Sequence, residues 1–237
     1  MSIDLVIAGA TIKDETMIHK AIASAPDYPF SKKFILLDGL KEGSSTDARK
    51  TYDKYCNSIE NKYSQGQGST GEFIVIRFDK CIYFREMIKR VCEISDSERL
   101  FVIQDDVECD PMLLEQIIVQ MNYLKDLKIL CFPHKYIGPE GSHWYTPFDD
   151  SYPLPFIKSH GFSERTFICD RLNMLDICNE LPSNNKMNKR FIEFIYQTAM
   201  KSSAWRDASD QVKEKYWEKF GCYYHYLVYH KHLCGKR

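Results

Sequence analysis

Two adjacent carboxylates, Asp105 and Asp106, end an apolar run and are the residues best suited to chemistry. The run over 99–104 is typical of a buried β-strand, and a helical pattern begins soon afterwards at Met112. Carboxylates at the carboxyl end of a strand in an open α/β sheet lie where such sheets bind ligands. Adjacent like charges need a counter-charge, and a hard cation such as Mn²⁺ or Mg²⁺, which would suit a diphosphate, is a usual one. The alternative is an Asp-Asp turn that leads into a helix N-cap.

Other candidate residues lie elsewhere in the chain. Asp38 ends a second apolar run beside Gly39, where its carboxylate could accept a hydrogen bond from a uracil or guanine N–H or from a ribose hydroxyl. Its alternative role is that of a turn residue. An aromatic loop that contains Trp144 offers contacts for a sugar, or else simple loop packing. His160 and Glu164 flank Gly161 in a loop that could meet the acceptor.

Alternating strand and helix patterns must position these residues. Strands are predicted at 3–8, 33–37, 73–78, 100–103, 128–132, 165–169 and 222–229. Helices are predicted at 15–24, 46–62, 82–94, 111–124, 188–200 and 210–219, and a long loop at 133–161. His19 is expected to face outwards from the first helix. Such alternation predicts an α/β fold with a mostly parallel central sheet flanked by helices.

Composition limits the classes of protein. A chain of 237 residues fits one large domain or two small ones, and its net charge of −1 argues against nucleic acid as a partner. No apolar run is long enough for a transmembrane segment and no signal sequence is evident, so a cytoplasmic location is expected. The nine cysteines are scattered, which favours reduced, mostly buried thiols over a zinc site or a disulfide framework.

The order of elements resembles the GT-A (Rossmann-like) fold of nucleotide-sugar-dependent glycosyltransferases. Strand 5–8 leads into a turn of small residues, strand 34–37 ends in Asp38, and 102–107 carries Asp106 five residues before Pro111. The resemblance implies one GT-A-like domain, with a nucleotide-binding half at 1–132 and a looser acceptor-binding half at 133–237. It assigns nucleotide contacts to Ala8, Gly9, Thr11, Asp38 and Asp105, and metal binding to Asp106 and His230, with His232 as the next candidate histidine.

The segment from Asp207 to Gly221 resembles the part of inverting GT-A enzymes that carries the catalytic carboxylate. Asp210 opens a predicted helix there and is the candidate general base, with Asp207 as the second candidate. A base on the face of the sugar opposite the leaving diphosphate would take a proton from the acceptor hydroxyl. The resemblance therefore implies an inverting, metal-dependent hexosyl- or pentosyltransferase. The expected donor is a nucleoside-diphosphate sugar, UDP-sugar ahead of GDP-sugar, and the expected acceptor is a glycan or other hydroxyl compound.

Two alternatives remain open. A sugar nucleotidyltransferase would share the nucleotide-binding half and the metal, but it usually has a glycine-rich, basic turn after the first strand, where this chain has Ala8-Gly9-Ala10-Thr11. A catalytically inactive relative that binds carbohydrate or nucleotide is the other. Gln104 favours it, since this first position of the metal motif carries an acid in the glycosyltransferases.

Overall fold

A computed structural model provides the architecture of the chain. It describes residues 1–9, 15–64, 73–109, 114–122, 127–132, 156–158, 165–180, 209, 211, 221–225 and 230–232. The strands are β1 (Ile3–Gly9), β2 (Lys33–Leu37), β3 (Ile74–Arg77), β4 (Arg99–Gln104), β5 (Val107–Cys109), β6 (Ile129–Cys131), β7 (Phe156–Lys158), β8 (Thr166–Asp170), β9 (Cys222–His225) and β10 (His230–His232). The helices are α1 (Glu15–Ala23), α2 (Thr46–Tyr63), α3 (Tyr83–Ile94), α4 (Leu114–Met121) and α5 (Arg171–Glu180).

One large sheet organises the fold, with strand order β3-β2-β1-β4-β8-β6-β9-β7. The first four strands in this order are parallel to their neighbours. β8 then runs antiparallel between β4 and β6, while β9 is parallel to β6 and antiparallel to β7. The predicted α/β fold is confirmed. Its parallel character is concentrated in the half that contains β1 to β4.

Helices cover both faces of this sheet. Alternate residues of β1 point to opposite faces, so Leu5 and Ile7 pack with α1, α2 and α4, while Val6 and Ala8 pack with α3 and α5. β1 is buried along its whole length, as expected for a central parallel strand. This arrangement places the carboxyl ends of β1, β2 and β4 side by side, at one end of the parallel strands.

A buried carboxylate holds together the amino-terminal ends of the central strands. Asp4 is fully buried and accepts hydrogen bonds from the hydroxyls of Ser95 (2.6 Å) and Ser97 (2.7 Å) and from the backbone N–H of Lys32 (2.9 Å). These three hydrogen bonds offset the cost of removing the carboxyl group of Asp4 from water. Asp4 therefore ties the start of β1 to the segments that precede β2 and β4.

Several predicted elements need correction. The loop predicted over 133–161 contains strand β7, and α5 follows β8 where no helix was predicted. The aromatic strand predicted over 222–229 is the shorter β9, and the separate strand β10 pairs with β5 in a second, two-stranded sheet. Of the helix predicted at 210–219 only Gln211, which is helical, falls within the described residues, and the helix predicted at 188–200 lies outside them.

Two further expectations concern the described residues as a whole. The seven cysteines whose side chains the structure describes are free thiols, and all of them except Cys81 are buried. None of the helices in the described part of the chain has the length and apolar character needed to cross a bilayer.

Candidate functional site

The candidate site is built on the last residues of β1. The carbonyl of Ala8 accepts the backbone N–H of Asp105 (3.0 Å), and the carbonyl of Gly9 accepts the backbone N–H of Asp38 (3.1 Å). In the register of β1 and β4, Ala8 lies opposite Gln104. The end of β1 thus brings together Asp38 and the pair of Asp105 and Asp106, which are far apart in sequence.

Asp105 and Asp106 form a nearly buried pair of carboxyl groups at the end of β4. Their exposed fractions are 3% and 7%. A Cβ atom on Gly9 would lie 3.7 Å from Oδ2 of Asp105 and 3.0 Å from the carbonyl oxygen of Leu36, so the glycine leaves room for close approach of these groups. Adjacent buried carboxylates repel each other and lose hydration, which favours a nearby cation.

The donor set of this pair fits a hard divalent cation. Mg²⁺ and related cations prefer oxygen ligands and usually take only one or two carboxylates from the protein, with the rest from water and phosphate. Among the residues that the structure describes, no group of three or more acidic, histidine or cysteine side chains could form a complete metal cage. The two carboxylates could supply only part of the oxygen ligands of such a cation.

Asp38 is buried at the end of β2 and organises the start of α3. Its Oδ1 accepts the backbone N–H groups of Gly39 (3.0 Å) and Ile82 (2.8 Å), and its Oδ2 accepts the Cys81 thiol (3.1 Å). Burial, followed by the hydrogen bond to Asp38, raises the pKa of the Cys81 thiol to about 11. These contacts correspond to the turn role that was the alternative for Asp38, and its contact with a nucleotide stays a prediction.

Aromatic and charged side chains of α2 flank the ends of β2 and β3. The Tyr52 hydroxyl donates to the carbonyl oxygen of Phe78 (2.9 Å) and lies 3.3 Å from that of Leu37. The guanidinium of Arg77 lies 5.1 Å from the centre of the Tyr52 ring and forms an ion pair with Asp53. This group was not predicted from the sequence, although Tyr52, Tyr55 and Tyr63 recur at helical spacing on the buried face of α2.

The C-terminal strand β10 lies next to the acidic pair. In its antiparallel pairing with β5, His232 is opposite Val107, the residue after Asp106, while His230 is opposite Cys109. By backbone position His232 is therefore nearer to Asp106 than His230 is. The resemblance placed His230 first, and a metal role for either histidine stays a prediction.

The remaining predicted site residues lie outside the described part of the chain. They are Thr11 of the nucleotide-binding turn, the candidate bases Asp207 and Asp210, and the acceptor candidates Trp144, His160, Gly161 and Glu164. Their roles stay predictions.

The architecture is a GT-A-like α/β fold, as the resemblance implied. Among solved structures, S. aureus TarS matches with a TM-score of 0.51 and 13% sequence identity, over 83% of this chain and 33% of the TarS chain. At this identity the similarity concerns the fold, and the chain spans only 33% of the length of TarS.

Two further structures show lower similarity. HddC from Yersinia pseudotuberculosis matches with a TM-score of 0.46 and 12% identity, over 81% of this chain and 82% of HddC. TarS residues 1–349 in complex with UDP-GlcNAc match with a TM-score of 0.46 and 12% identity, over 83% of this chain and 54% of that one. No protein-family model matches the sequence, and the comparison with curated proteins found no match.

Proposed function

We propose that this chain is a glycosyltransferase that transfers a sugar from a nucleoside-diphosphate sugar to a hydroxyl acceptor. One observation carries the proposal. The backbone bonds of Ala8 and Gly9 bring Asp38 and the nearly buried pair of Asp105 and Asp106 to the carboxyl edge of parallel strands in a GT-A-like fold. That edge is where open α/β sheets bind their ligands.

The acidic pair has a distinct role for each carboxylate in this proposal. Asp106 would hold Mn²⁺ or Mg²⁺, and Asp105 would bind the ribose or a water molecule of the cation's outer shell. A divalent cation bound there supplies Lewis-acid stabilisation of the negative charge on the departing diphosphate. A histidine of β10 would complete the ligand set, and the register with β5 favours His232 over His230.

The finer parts of the proposal are an inverting mechanism and a UDP-sugar donor. Asp210, or Asp207 as the second candidate, would accept the proton of the acceptor hydroxyl on the face opposite the diphosphate. General-base assistance of this kind contributes about 100- to 10,000-fold to turnover. UDP is placed ahead of GDP as the expected nucleotide, and Asp38 could accept an N–H of either uracil or guanine.

A panel of nucleotide sugars tests the proposal directly. The chain is incubated with UDP- and GDP-sugars in MnCl₂ or in excess EDTA, and released nucleoside diphosphate and transferred sugar are measured. We expect hydrolysis or transfer with at least one UDP-sugar in MnCl₂ and none in EDTA. Turnover of a nucleoside triphosphate with a sugar phosphate would instead identify a sugar nucleotidyltransferase. Binding without turnover of any donor would identify an inactive relative, which is the alternative that Gln104 in the metal motif favours.

A further inference from the structure

Asp105 and Asp106 form the turn that joins two strands. β4 ends at Gln104 and β5 begins at Val107, so the acidic pair is the whole connection between them. On the side of β4 the turn is fixed by the hydrogen bond from the backbone N–H of Asp105 to the carbonyl of Ala8. The position of the two carboxyl groups therefore also depends on what fixes β5.

A side chain at the end of α1 holds β5. The backbone N–H of Cys109, the last residue of β5, donates to the hydroxyl oxygen of Ser24 (2.9 Å), the residue that follows α1. The Ser24 hydroxyl itself donates to the carbonyl of Ala21 (3.0 Å). A hydroxyl has one proton and two lone pairs, so the bond to Ala21 uses the proton and leaves a lone pair for Cys109. The side chain of Ser24 thus joins the last turn of α1 to β5.

Strand pairing and core packing also hold β5. β10 pairs with it in the antiparallel direction. The side chains of Val107 and Cys109 are buried in the same apolar cluster as Ile18 and Ile22 of α1. A two-stranded sheet is marginally stable by itself and needs more strands or packing against a helix. Helix α1 provides this support through the apolar cluster and through Ser24.

Helix α1 is a firm support because it is bonded to α2. The hydroxyl of Ser58 donates to Oε1 of Glu15 (2.5 Å), and Nδ1 of His19 lies 2.7 Å from the Tyr63 hydroxyl. The expectation that His19 faces outwards from α1 is therefore wrong, since its ring contacts α2. Ser24 thus lies at the end of a helix whose first two turns are attached to the rest of the fold.

We propose that Ser24 is a positioning residue for the acidic pair. By holding β5, it keeps the turn of Asp105 and Asp106 in the geometry that binds the divalent cation. The second part of this inference rests on the proposed function, to which the cation belongs. Ser24 acts through the backbone of β5, so its loss should change the affinity for the cation more than turnover with the cation bound. Groups that orient metal ligands in this indirect way contribute about 10- to 100-fold to metal affinity.

Three variants test the positioning role. Ser24→Ala removes the hydroxyl, and Ser24→Thr keeps it. Ser44→Ala is the matched control, because the Ser44 hydroxyl also donates to a carbonyl three residues earlier, that of Lys41 (2.7 Å), but lies in the exposed segment before α2. Amide hydrogen exchange of Cys109 is measured without ligands. Calorimetry gives the dissociation constant of Mn²⁺ at saturating UDP, and turnover of a nucleotide sugar is followed as a function of MnCl₂ concentration.

We expect Ser24→Ala to speed exchange of the Cys109 amide by about fivefold, the contribution of one hydrogen bond between uncharged groups. The dissociation constant of Mn²⁺ should rise by about tenfold. Saturating MnCl₂ should restore turnover, because both carboxylates are still present. Ser24→Thr and Ser44→Ala should behave as the unmodified chain, and exchange in α3 should stay constant in all three variants.

Several results would overturn the inference. Exchange of Cys109 in Ser24→Ala could be unchanged, or could rise equally in α3, which would indicate general loss of stability. An unchanged affinity for Mn²⁺, or a loss of turnover that saturating MnCl₂ does not restore, would also overturn it. If the unmodified chain binds no Mn²⁺ with UDP and turns over no donor, the proposed function fails together with the cation-binding part of the inference. The exchange of Cys109 then still decides whether Ser24 holds β5.

Discussion

The acidic pair shows how much depends on single residues. Asp105 and Asp106 are adjacent, but the backbone N–H of Asp105 is bonded to β1, and both carboxyl groups are nearly removed from water. Their unequal proposed roles lead to unequal expected effects of substitution.

The first prediction concerns Asp106. Asp106→Ala is expected to lower turnover of the donor by about 100-fold or more, since a bound cation supplies several kcal/mol of stabilisation to the leaving group. Asp105→Ala should act mainly on nucleotide affinity. Initial rates in MnCl₂, together with a thermal melt, provide the measurement.

Asp176→Ala is the control for this prediction, because Asp176 is an exposed carboxylate on α5. Its rate should equal that of the unmodified chain. Full activity of Asp106→Ala, or of the unmodified chain in excess chelator, would contradict the metal role.

The second prediction concerns Gly39, the residue after Asp38. A Cβ atom there would lie 2.4 Å from the carbonyl oxygen of Phe78 and from the carbonyl carbon of Lys80, which are backbone atoms that cannot easily move. Gly39→Ala is expected to lower the free energy of unfolding by about 1–3 kcal/mol, as for other overpacked sites. Urea unfolding at pH 7 measures the change.

Gly43→Ala provides a comparison for Gly39. Gly43 has a φ of +81°, and a Cβ atom placed on it would meet no other atom within 4 Å, so only backbone strain of about 1–2 kcal/mol applies there. If Gly39→Ala is as stable as the unmodified chain, the contact between the ends of β2 and β3 is looser than the structure indicates.

At the scale of elements, local patterns predicted the parallel half closely. β2 was predicted at its observed residues, and α2 and α3 within one residue of their observed ends. These elements have strong apolar periodicity and clear ends, such as Ser45, whose side chain accepts the N–H of Ala48. Helix α5 was missed although Met174, Ile177 and Cys178 have helical spacing, because it begins directly at the end of β8 without a turn signal.

Pairing between distant strands could not be predicted in the same way. The register of β10 on β5 depends on contacts between residues more than a hundred positions apart, and a short sequence such as His-Lys-His carries no pattern that specifies a partner. The register of His230 and His232 on β5 therefore required the structure, and a metal role for either histidine stays a prediction. The same holds for the hydrogen bond from Ser58 on α2 to Glu15 on α1 (2.5 Å), since neither helix alone shows which side chains meet.

The third prediction follows from the register of β10. If a histidine assists cation binding, His232→Ala is expected to weaken Mn²⁺-dependent UDP binding by about tenfold, within the range for loss of a group that supports a metal site. His230→Ala is the matched control, with one substitution of the same kind two residues away. Calorimetry in MnCl₂ gives both dissociation constants, and a larger effect of His230→Ala would restore the order favoured by the sequence.

At the scale of the whole molecule, alternation of strands and helices was sufficient to predict the fold class. The two apolar clusters on opposite faces of the sheet explain why, since each strand of the parallel half must be apolar on both sides. The division into a nucleotide-binding half at 1–132 and an acceptor-binding half at 133–237 stays a prediction, as does the choice of acceptor.

The fourth prediction concerns the stereochemistry of the proposed reaction. With a carboxylate base at Asp210, the product anomer should be opposite to that of the donor, and Asp210→Asn should lower turnover by about 100-fold or more with little change in stability. NMR of the product reports the anomer. Near-normal turnover of Asp210→Asn together with loss of turnover in Asp207→Asn would assign the base to Asp207 instead. A product that retains the configuration of the donor would exclude the inverting mechanism.

The position of β9 has a consequence for synthesis on the ribosome. β1 to β4 are complete once residue 104 has emerged, but β9 occupies an interior place between β6 and β7 although it comes late in the chain. A nascent chain therefore presents the edge of β6 unpaired until residues 222–225 appear, and such edges can recruit other chains. We expect nascent chains that contain β6 but end before residue 222 to crosslink to chaperones through 129–131, and the released chain, in which β9 covers that edge, to lose the contact. The late insertion of one short strand thus makes the second half of the sheet the part most exposed to misassembly.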